Sequence, residues 1–568
     1  MLWLWVFLCI GAATAQVFNE PSGYFGGETN TPYLQWLAEA GGSYANSLFL
    51  FSQTDPNDGV AVHWKIVGDS IAVAVAARAE GWVAIGFSEN GGMFGSDVVH
   101  FEAVDGSLTD AHILRERAVD VDTCQDWNLV ANRTDDGFLI FEATRLLDTG
   151  DAQDRALMDD ALPAIPSTRI IAAWGDQEQV GYHGPRRARG AVRWFADYES
   201  GDESTDFLLA MAEADGSFFV GADNFAIPNV ETTYQYFCVY WDELVAQGVP
   251  NKGNMSIIGI EPVLDPATIQ YVHHFVVHTS LNAKTPEDGC SVLDAVEIAY
   301  AWAPGEPPFA LPENLGEPLG NGTGFMTFVI QIHYNNPLLD EGAFDSSGVR
   351  FYYTEQAREI EMGYLQLGDP YVELAREPLG VGLVEHSFVC KPSCSSFFLR
   401  SPVTILRDYM HMHQAGSRIY TELIRDDEVV HSSAIDYFDF EQQGNQPVQQ
   451  KPFEVLPGDS FRTVCQYEST EGTVFGRGSE DEMCMNFLMY YPRQKALNFP
   501  WICAYKIGFL PCESEHSERV LEAPEVTFGQ PVDTCAPRNT IPAGTVSAAT
   551  ISVVPWTSAV LLVSVMFL

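Results

Sequence analysis

Between residues 45 and 520 the chain consists of short apolar runs and lacks long amphipathic segments. Runs rich in Val, Ile, Tyr and Phe, such as residues 70–75, 82–87 and 325–333, are separated by Gly, Pro, Asn and Asp. Runs of about four to eight residues bounded by turn residues indicate strands, whereas helices place apolar residues three and four positions apart. The pattern therefore predicts an all-β protein built from β-sandwiches.

Polar stretches indicate where the domains begin and end. Residues 197–206 are acidic, contain Gly and Ser and have no apolar face, and turn residues cluster again at 368–371. The chain has 568 residues, which is too long for one hydrophobic core. We expect a signal peptide at 1–15, a first sandwich at 45–195, a linker at 196–225, two β subdomains at 226–370 and 371–520, a C-terminal segment at 521–549 and a hydrophobic tail at 550–568.

Both ends of the chain are apolar. Residues 1–15 end in Ala13-Thr14-Ala15, the small-x-small pattern that precedes signal-peptide cleavage, and they predict entry into the secretory pathway. The uncharged tail follows small residues at 544 and 547–549, a pattern typical of a glycosylphosphatidylinositol anchor signal. A C-terminal membrane helix is the alternative, but Pro555 interrupts it. We expect a secreted or vesicular protein, or one held at the extracellular face of a membrane through this tail.

Charge and cysteine content narrow the class of protein. With 77 acidic and 30 basic residues the formal net charge is -47, which excludes nucleic acid as a probable class of partner because phosphates would be repelled. Ten cysteines remain after signal cleavage, and an even number in an oxidising compartment predicts disulfides. Three glycosylation sequons begin at Asn132, Asn254 and Asn321, so we expect surface loops there.

Candidate metal ligands lie in three strand-like segments. His411 and His413 are two residues apart, so on a strand they project from one face and can chelate one ion. Adjacent His273 and His274 diverge on a regular strand, and they can share a metal only at a strand end or a β-bulge. His333 opens the segment His-Tyr-Asn-Asn-Pro in a third apolar run.

A fourth segment adds thioether groups. Met483, Met485 and Met489 are predicted to lie on one face of a strand, with Cys484 on the other. Imidazole together with thioether suits copper, whereas zinc and the hard cations rarely use a thioether. For the remaining histidines we expect ordinary core or surface roles: His63, His100, His112, His183, His278, His386, His431 and His516.

The motifs Val-His-His (272–274), His-Tyr-Asn-Asn-Pro (333–337), His-Met-His (411–413) and Asp-Glu-Met-Cys-Met-Asn-Phe (481–487) resemble, in order, those of the copper type II, ascorbate-dependent monooxygenase family. Residues 45–195, with Gly81-Trp82 and Gly95-Ser96-Asp97, resemble the DOMON β-sandwich that precedes the catalytic core in the dopamine β-hydroxylase-like branch. The resemblance implies a DOMON domain followed by two β-sandwich copper subdomains.

The resemblance also implies roles for particular residues. His273, His274 and His333 would hold an electron-donating copper, and the oxygen-binding copper would be held by His411, His413 and Met483, with His411 also counted as catalytic. A tyrosine of the family's active site corresponds to Tyr236 by its spacing to Cys238, or to Tyr234 if two residues are inserted. Disulfides are implied for the pairs 238–290, 390–503 and 465–484. Cys394 would bond Cys512 or Cys535, and Cys124 the other.

The implied reaction is the hydroxylation of a C–H bond in a small organic substrate by O2, with two copper ions per chain and ascorbate as reductant. A phenethylamine is one candidate substrate, although Val276 stands where dopamine β-hydroxylase has an acidic residue. Asp97 and Asp126 are candidate ligands of another metal in the first sandwich. A non-catalytic cell-surface glycoprotein that binds copper or another ligand is the alternative function, and a heme-binding DOMON domain is a third.

Overall fold

The structure is a computed structural model of the chain. It describes residues 21–27, 31–52, 55, 57–114, 118–157, 168–192, 194–195, 207, 211–282, 290, 297–303, 306, 308–336, 338–369, 378–440, 442, 446–447, 452–476, 481–494, 501–506, 508, 510–522, 528–531 and 535. The described residues form three mainly antiparallel β-sandwiches in chain order, which we call the first, second and third sandwich. The prediction of an all-β protein is confirmed.

The first sandwich packs two sheets, ordered β1-β2-β3-β9-β8 and β11-β10-β4-β5-β6-β7, around an aromatic core that includes Trp64, Phe87 and Trp174. Its strands are β1 (Asn46–Phe51), β2 (Gly59–Val67), β3 (Ser70–Ala77), β4 (Trp82–Ser88), β5 (Ser96–Glu102), β6 (Ser107–Ile113), β7 (Val119–Val121), β8 (Asn128–Asp135), β9 (Phe138–Leu146), β10 (Thr168–Gly175) and β11 (Arg187–Val192). Residues 21–27 and 31–44, which lie before the predicted domain start, cover the outer face of the first sheet with 3₁₀ turns at Pro21–Gly27 and Gly41–Ser43 and helix α1 (Pro32–Glu39).

The second sandwich has sheets ordered β12-β22-β15-β19-β23 and β14-β20-β16-β17, with β18 paired to β15 and a β13-β21 ribbon. Its strands are β12 (Gly216–Gly221), β13 (Phe225–Ala226), β14 (Thr232–Val239), β15 (Met255–Val263), β16 (Val272–Ser280), β17 (Glu297–Trp302), β18 (Phe309–Ala310), β19 (Leu315–Leu319), β20 (Thr327–Asn335), β21 (Phe344–Asp345), β22 (Gly348–Thr354) and β23 (Ile360–Glu361). Helix α2 (Trp241–Ala246) and a 3₁₀ turn at Ile269–Tyr271 join these strands.

The third sandwich has sheets ordered β29-β26-β32-β24-β33 and β28-β27-β31-β25-β34, with β30 paired to β26. Its strands are β24 (Gly363–Gly368), β25 (Pro378–Cys390), β26 (Val403–His411), β27 (Gly416–Arg425), β28 (Glu428–Ile435), β29 (Gln446–Pro447), β30 (Phe453–Val455), β31 (Ser460–Val474), β32 (Met485–Tyr491), β33 (Trp501–Ile502) and β34 (Glu515–Val520). Helix α3 (Pro392–Phe398) and a 3₁₀ turn at Leu510–Cys512 lie at one end.

The predicted linker at 196–225 is too long at its C-terminal side. Residues 216–221 form β12, which pairs with β22 from Gly216↔Tyr353 to Gly221↔Gly348. Phe218 and Val220 of this strand are buried in the core of the second sandwich. The short apolar run Phe218-Phe219-Val220, bounded by Gly216-Ser217 and Gly221, is the local signal that indicates the strand.

Five disulfides are present, and they confirm the three pairs that the resemblance implied. The bonds join 238–290, 390–503 and 465–484. Of the two alternatives for the other four cysteines, the structure contains Cys394–Cys512 and Cys124–Cys535. The last bond ties the first sandwich to the C-terminal segment across 411 residues of sequence.

The sequence led to expectations about the surface and the chain ends, and only some of the residues concerned are described by the structure. The sequon asparagines Asn132, Asn254 and Asn321 are all exposed. Asn254 and Asn321 lie in loops as expected, whereas Asn132 lies on strand β8, so the expectation of a loop is wrong there. The predicted signal peptide, the acidic stretch at 197–206 and the hydrophobic tail lie outside the described residues. Among the helices in the described part of the chain, none combines the length and apolarity that a membrane span requires.

Candidate metal centre

The adjacent histidines 273 and 274 lie at a β-bulge at the start of β16. Val272 pairs with Tyr334 and His274 with His333, so His273 is the extra residue of the bulge. A bulge re-aims one side chain relative to a regular strand, and the Nδ1 atoms of His273 and His274 are 3.0 Å apart. The condition that the sequence set for a shared metal, a bulge or a strand end, is therefore met.

His333 completes a cluster of three imidazoles. It lies on β20, between β14 and β16, directly opposite His274. Its ring centroid is 4.9 Å from that of His273 and 4.8 Å from that of His274. One nitrogen from each of the three residues lies within 4.8 Å of the other two, and each side chain is buried. We call these residues the first histidine set.

Burial keeps these three imidazoles neutral. Desolvation, reinforced by neighbouring histidines, lowers the pKa of His273 to about 4 and that of His333 to about 2. The pKa of His274 is also well below its ordinary value, chiefly through burial. A neutral imidazole has a free lone pair, so the first set has the protonation state that a metal ligand needs.

The second histidine set, His411 and His413, lies at the end of β26. The strand ends at His411, and the two ring centroids are 5.0 Å apart. Nδ1 of His413 lies 3.0 Å from the backbone carbonyl of Asp481. The next residue, Glu482, accepts hydrogen bonds from the backbone N–H groups of His413 (2.9 Å) and Ala415 (2.6 Å).

Met483 follows this anchored glutamate, but it is not on the strand that the sequence predicted. Strand β32 begins at Met485, so the prediction of one strand face carrying Met483, Met485 and Met489 is wrong for the first of them. The side-chain carboxylate of Glu482 holds residues 481–483 against the loop that follows β26, while the backbone of Glu482 forms an isolated bridge with Phe475. Met489 packs in the core with residues of the second sandwich, and Met483 is half-buried beside Cys484.

The two histidine sets are in contact with each other. The ring of His274, from the second sandwich, is edge-on to that of His411, from the third, with centroids 5.5 Å apart. Phe440 spans the same boundary, since its ring stacks on His273 at 4.2 Å and lies edge-on to His413 at 5.9 Å. Phe440 lies in a loop of the third sandwich with no recognisable motif, so sequence reasoning missed it.

Tyr234 and Tyr236 occupy the same face of β14 but have different neighbours. Tyr234 pairs with His333 in register, and the two rings stack at 4.4 Å. Tyr236 pairs with Gln331, whose Nε2 donates a 2.6 Å hydrogen bond to the tyrosine oxygen. The structure thus brings Tyr234 against the first histidine set and places Tyr236 two residue pairs further along the strand.

The boundary between the second and third sandwiches beside the histidines is apolar. Val276, Ile298 and Ala301 of the second sandwich pack against Tyr409 and Phe487 of the third. Apolar packing excludes water, which lowers the local dielectric and strengthens electrostatic interactions there.

These residues fit copper better than the common alternatives. Buried neutral imidazoles suit copper, zinc and iron, whereas calcium and magnesium prefer oxygen ligands. A thioether close to the second set favours copper over zinc. The donor sets therefore match a redox-active copper centre.

The carboxylates of the first sandwich form a different cluster from the one that the sequence indicated. Asp97 lies with Asp110 and Asp154, whereas the Asp126 backbone N–H donates to Asp110. The guanidinium of Arg145 contacts Asp97 at 2.6 Å and is fully buried among them. This arginine supplies positive charge within the cluster.

Most of the other histidines have the structural roles that we expected. His63 bonds with Tyr33 and His112 with Asp122. His386 lies 2.9 Å from His516 through their ring nitrogens. None of these is part of either histidine set.

Three family models match the chain in the same order as its sandwiches. A DOMON domain matches residues 56–165. The N-terminal domain of copper type II ascorbate-dependent monooxygenases matches residues 218–341, and the C-terminal domain of that family matches residues 361–507. Both histidine sets and Met483 lie within the two matches to the monooxygenase domains.

Named relatives have similar sequences over most of this chain. Tyramine beta-hydroxylase from Caenorhabditis briggsae is 28% identical over 72% of this chain and 70% of its own length. DBH-like monooxygenase protein 1 from Homo sapiens is 28% identical over 76% of this chain and 71% of its own. Dopamine beta-hydroxylase from Canis lupus familiaris is 25% identical over 72% and 66%, respectively.

Proposed function

The chain belongs to the copper type II ascorbate-dependent monooxygenase family and carries a DOMON domain, and from this premise we propose that it hydroxylates a C–H bond of a small organic substrate with O2. In this proposal His273, His274 and His333 hold one copper, and His411, His413 and Met483 hold a second. Ascorbate is the electron donor.

One observation carries the proposal: two buried sets of metal-ligand side chains, one from each copper sandwich, meet at a single apolar boundary. His274 and His411 are in ring contact there. Copper ions bound to these residues supply one-electron redox chemistry and the activation of dioxygen.

The residues of the chain would hold the copper ions, orient the histidine ligands and exclude water from the site. The bulge at His273 and the strand pair His274↔His333 orient the first set, and Glu482 orients the loop of His413. The carbonyl of Asp481 beside Nδ1 of His413 leaves Nε2 as the nitrogen available to a metal. The packed boundary around Val276 and Tyr409 excludes water.

The substrate that we propose is small, has an apolar portion and can be of the phenethylamine type. The names of the relatives include tyramine and dopamine hydroxylases. Val276 packs within the apolar cluster beside the histidines, so an apolar part of the substrate is the part expected to contact it.

Copper stoichiometry and oxygen uptake test this function together. The purified chain is expected to bind two coppers and to consume oxygen with ascorbate when a panel of phenethylamines and phenols is added. Two bound coppers without turnover on any member of the panel would favour the alternative, a copper-binding surface glycoprotein without catalysis.

The methionine ligand is tested by replacement with a residue of similar size. Met483→Ile is expected to abolish oxygen-dependent turnover and to lower the copper content from two ions to one, since Ile has no thioether. Met489→Ile, in the packed core, serves as the control. Full activity of Met483→Ile would transfer the role to another methionine.

The five disulfides and the family are consistent with the secretory pathway. We further propose that residues 550–568 direct the addition of a glycosylphosphatidylinositol anchor. Phosphatidylinositol-specific phospholipase is then expected to release the protein from intact cells, and retention would favour a membrane helix.

A further inference from the structure

Glu306 lies where all three sandwiches meet. Its Oε1 is 3.1 Å from Nη2 of Arg407 on β26 of the third sandwich, and its Oε2 is 3.6 Å from Nη2 of Arg169 on β10 of the first. The glutamate side chain is fully buried, and those of the two arginines are only 12% and 6% exposed. Buried charges require partners, so this carboxylate joins an element of each sandwich.

The elements that meet at Glu306 also carry the histidine sets. Trp302 pairs with Phe275, the residue after His274, and its indole N–H donates to the backbone carbonyl of Glu306. Arg407 lies on the same strand as His411, four residues before it. Arg169 of the first sandwich therefore interacts with a carboxylate that links β26, which bears His411, to β17, the neighbour of β16.

A second contact between the DOMON domain and the third sandwich lies at the end of β4. The carboxylate of Glu89 accepts hydrogen bonds from the backbone N–H groups of Asp436 (3.0 Å) and Tyr437 (3.1 Å). Nδ2 of Asn90 donates to the carbonyl of Tyr437 at 3.1 Å. Arg155 lies 3.7 Å from the Glu89 carboxylate and balances its charge.

This second contact holds the loop that delivers Phe440 to the metal centre. Phe440 follows Tyr437 by three residues, and it contacts one histidine of each set. The first sandwich thus reaches the two histidine sets by two routes, one through Glu306 and one through the loop of Phe440. Relative movement of the second and third sandwiches is already opposed by their apolar boundary, and the contacts of the first sandwich add polar restraints at two further points.

We propose that the DOMON domain is an internal clamp that holds the two histidine sets at their observed spacing, with Arg169 and Glu89 as its positioning residues. Neither residue contacts a histidine. Each acts through a group of the copper sandwiches: Glu306 for Arg169, and the loop of Asp436 and Phe440 for Glu89. The consequence for turnover rests on the proposed function, whereas the spacing itself does not.

The spacing can be measured on the metal-free full chain by pulsed electron paramagnetic resonance. Spin labels are attached through non-natural amino acids at Leu338 of the second sandwich and Val430 of the third, which are 80% and 48% exposed. Wild type is expected to give one narrow distance distribution. Arg169→Met and Glu89→Gln are expected to broaden it and to shift it to longer distances, because each removes one contact of the clamp.

Matched variants separate clamping from general destabilisation. Arg186→Met removes an arginine whose partners Asp58 and Asp176 lie within the first sandwich, and it is expected to keep the wild-type distribution. Arg169→Lys retains the charge and is expected to restore a narrow distribution. If Arg169→Met does not fold, Glu89→Gln and Arg169→Lys still carry the test. Wild-type distributions for Glu89→Gln and Arg169→Met would overturn the clamp.

On the copper-loaded chain, both clamp variants are expected to bind copper as wild type does while kcat falls roughly tenfold, the size of a typical coupling between contacting groups. Failure of the proposed function and failure of the clamp give different results. A wild-type chain without turnover, combined with shifted distances in the variants, refutes the proposed function and leaves the clamp intact. Turnover by the wild-type chain, combined with unshifted distances in the variants, refutes the clamp and leaves the proposed function intact.

Discussion

Glu482 is the residue whose removal should disturb the second histidine set most directly without touching a ligand. Its carboxylate is 1% exposed and accepts the backbone N–H groups of His413 and Ala415. Glu482→Ala leaves both donors without an acceptor, the N–H of His413 fully buried and that of Ala415 partly buried. Each such orphan costs about 1–3 kcal/mol, so the third sandwich should lose about 2–6 kcal/mol of stability.

The loss of stability should appear as a lower midpoint of thermal unfolding, and the disturbance of the site as a lower copper content. A loss of that size corresponds to a midpoint about 5–20 °C lower for a domain of this size. Copper content should also fall from two ions towards one, because the loop of His413 and the segment of Met483 lose their common anchor. Glu482→Gln keeps one acceptor oxygen and should lie between Ala and wild type.

Glu422→Ala is the matched control, because this carboxylate pairs with Arg462 on the surface of the same sandwich. A partly exposed ion pair contributes only about 0–1 kcal/mol. The reasoning is refuted if Glu482→Ala unfolds within about 2 °C of Glu422→Ala and retains the full copper content, since the orphaned N–H groups would then cost almost nothing.

Two further outcomes follow from buried groups near the boundary. Burial raises the pKa of the Glu317 carboxyl, which accepts a hydrogen bond from the hydroxyl of Tyr364, from 4.5 to about 8. Because this pKa is higher in the folded protein than in the unfolded chain, the contribution of the carboxyl to stability is full below pH 4.5. The contribution is lost as the pH rises towards 8. Glu317→Gln should therefore flatten the fall of the unfolding midpoint over that range, and an unchanged pH profile would contradict the assignment. Tyr234→Leu should weaken copper binding at the first set by up to about tenfold, because its stacking on His333 is worth about 0.5–1.5 kcal/mol, while Tyr236→Phe, measured by the same copper titration, should not.

The chemistry of the site was readable from local sequence. Ligand type depends only on which side chains are present, so His411 and His413 two residues apart, with a methionine-rich segment downstream, already indicated copper. The short apolar runs bounded by turn residues likewise indicated strands, because run length and turn residues are local properties. The adjacency of His273 and His274 also indicated that they could share a metal only at a bulge or a strand end.

Other features depended on pairing between distant strands. Which of Tyr234 and Tyr236 faces the histidines is set by the register of β14 against β20, and a register is decided by the packing of whole sheets. Met483 lies outside β32 because Glu482 binds a loop about 70 residues earlier in the chain. No local pattern encodes either arrangement.

The contact between the two histidine sets belongs wholly to the tertiary structure. Arg169, Glu306 and Arg407 come together from three sandwiches, and Phe440 reaches His273 from a loop without a motif. The sequence by itself determined the donor atoms and the strands that carry them. Their spacing was decided only by the packing of the three sandwiches against one another, because burial of shared charges and rings depends on surfaces far apart in the chain.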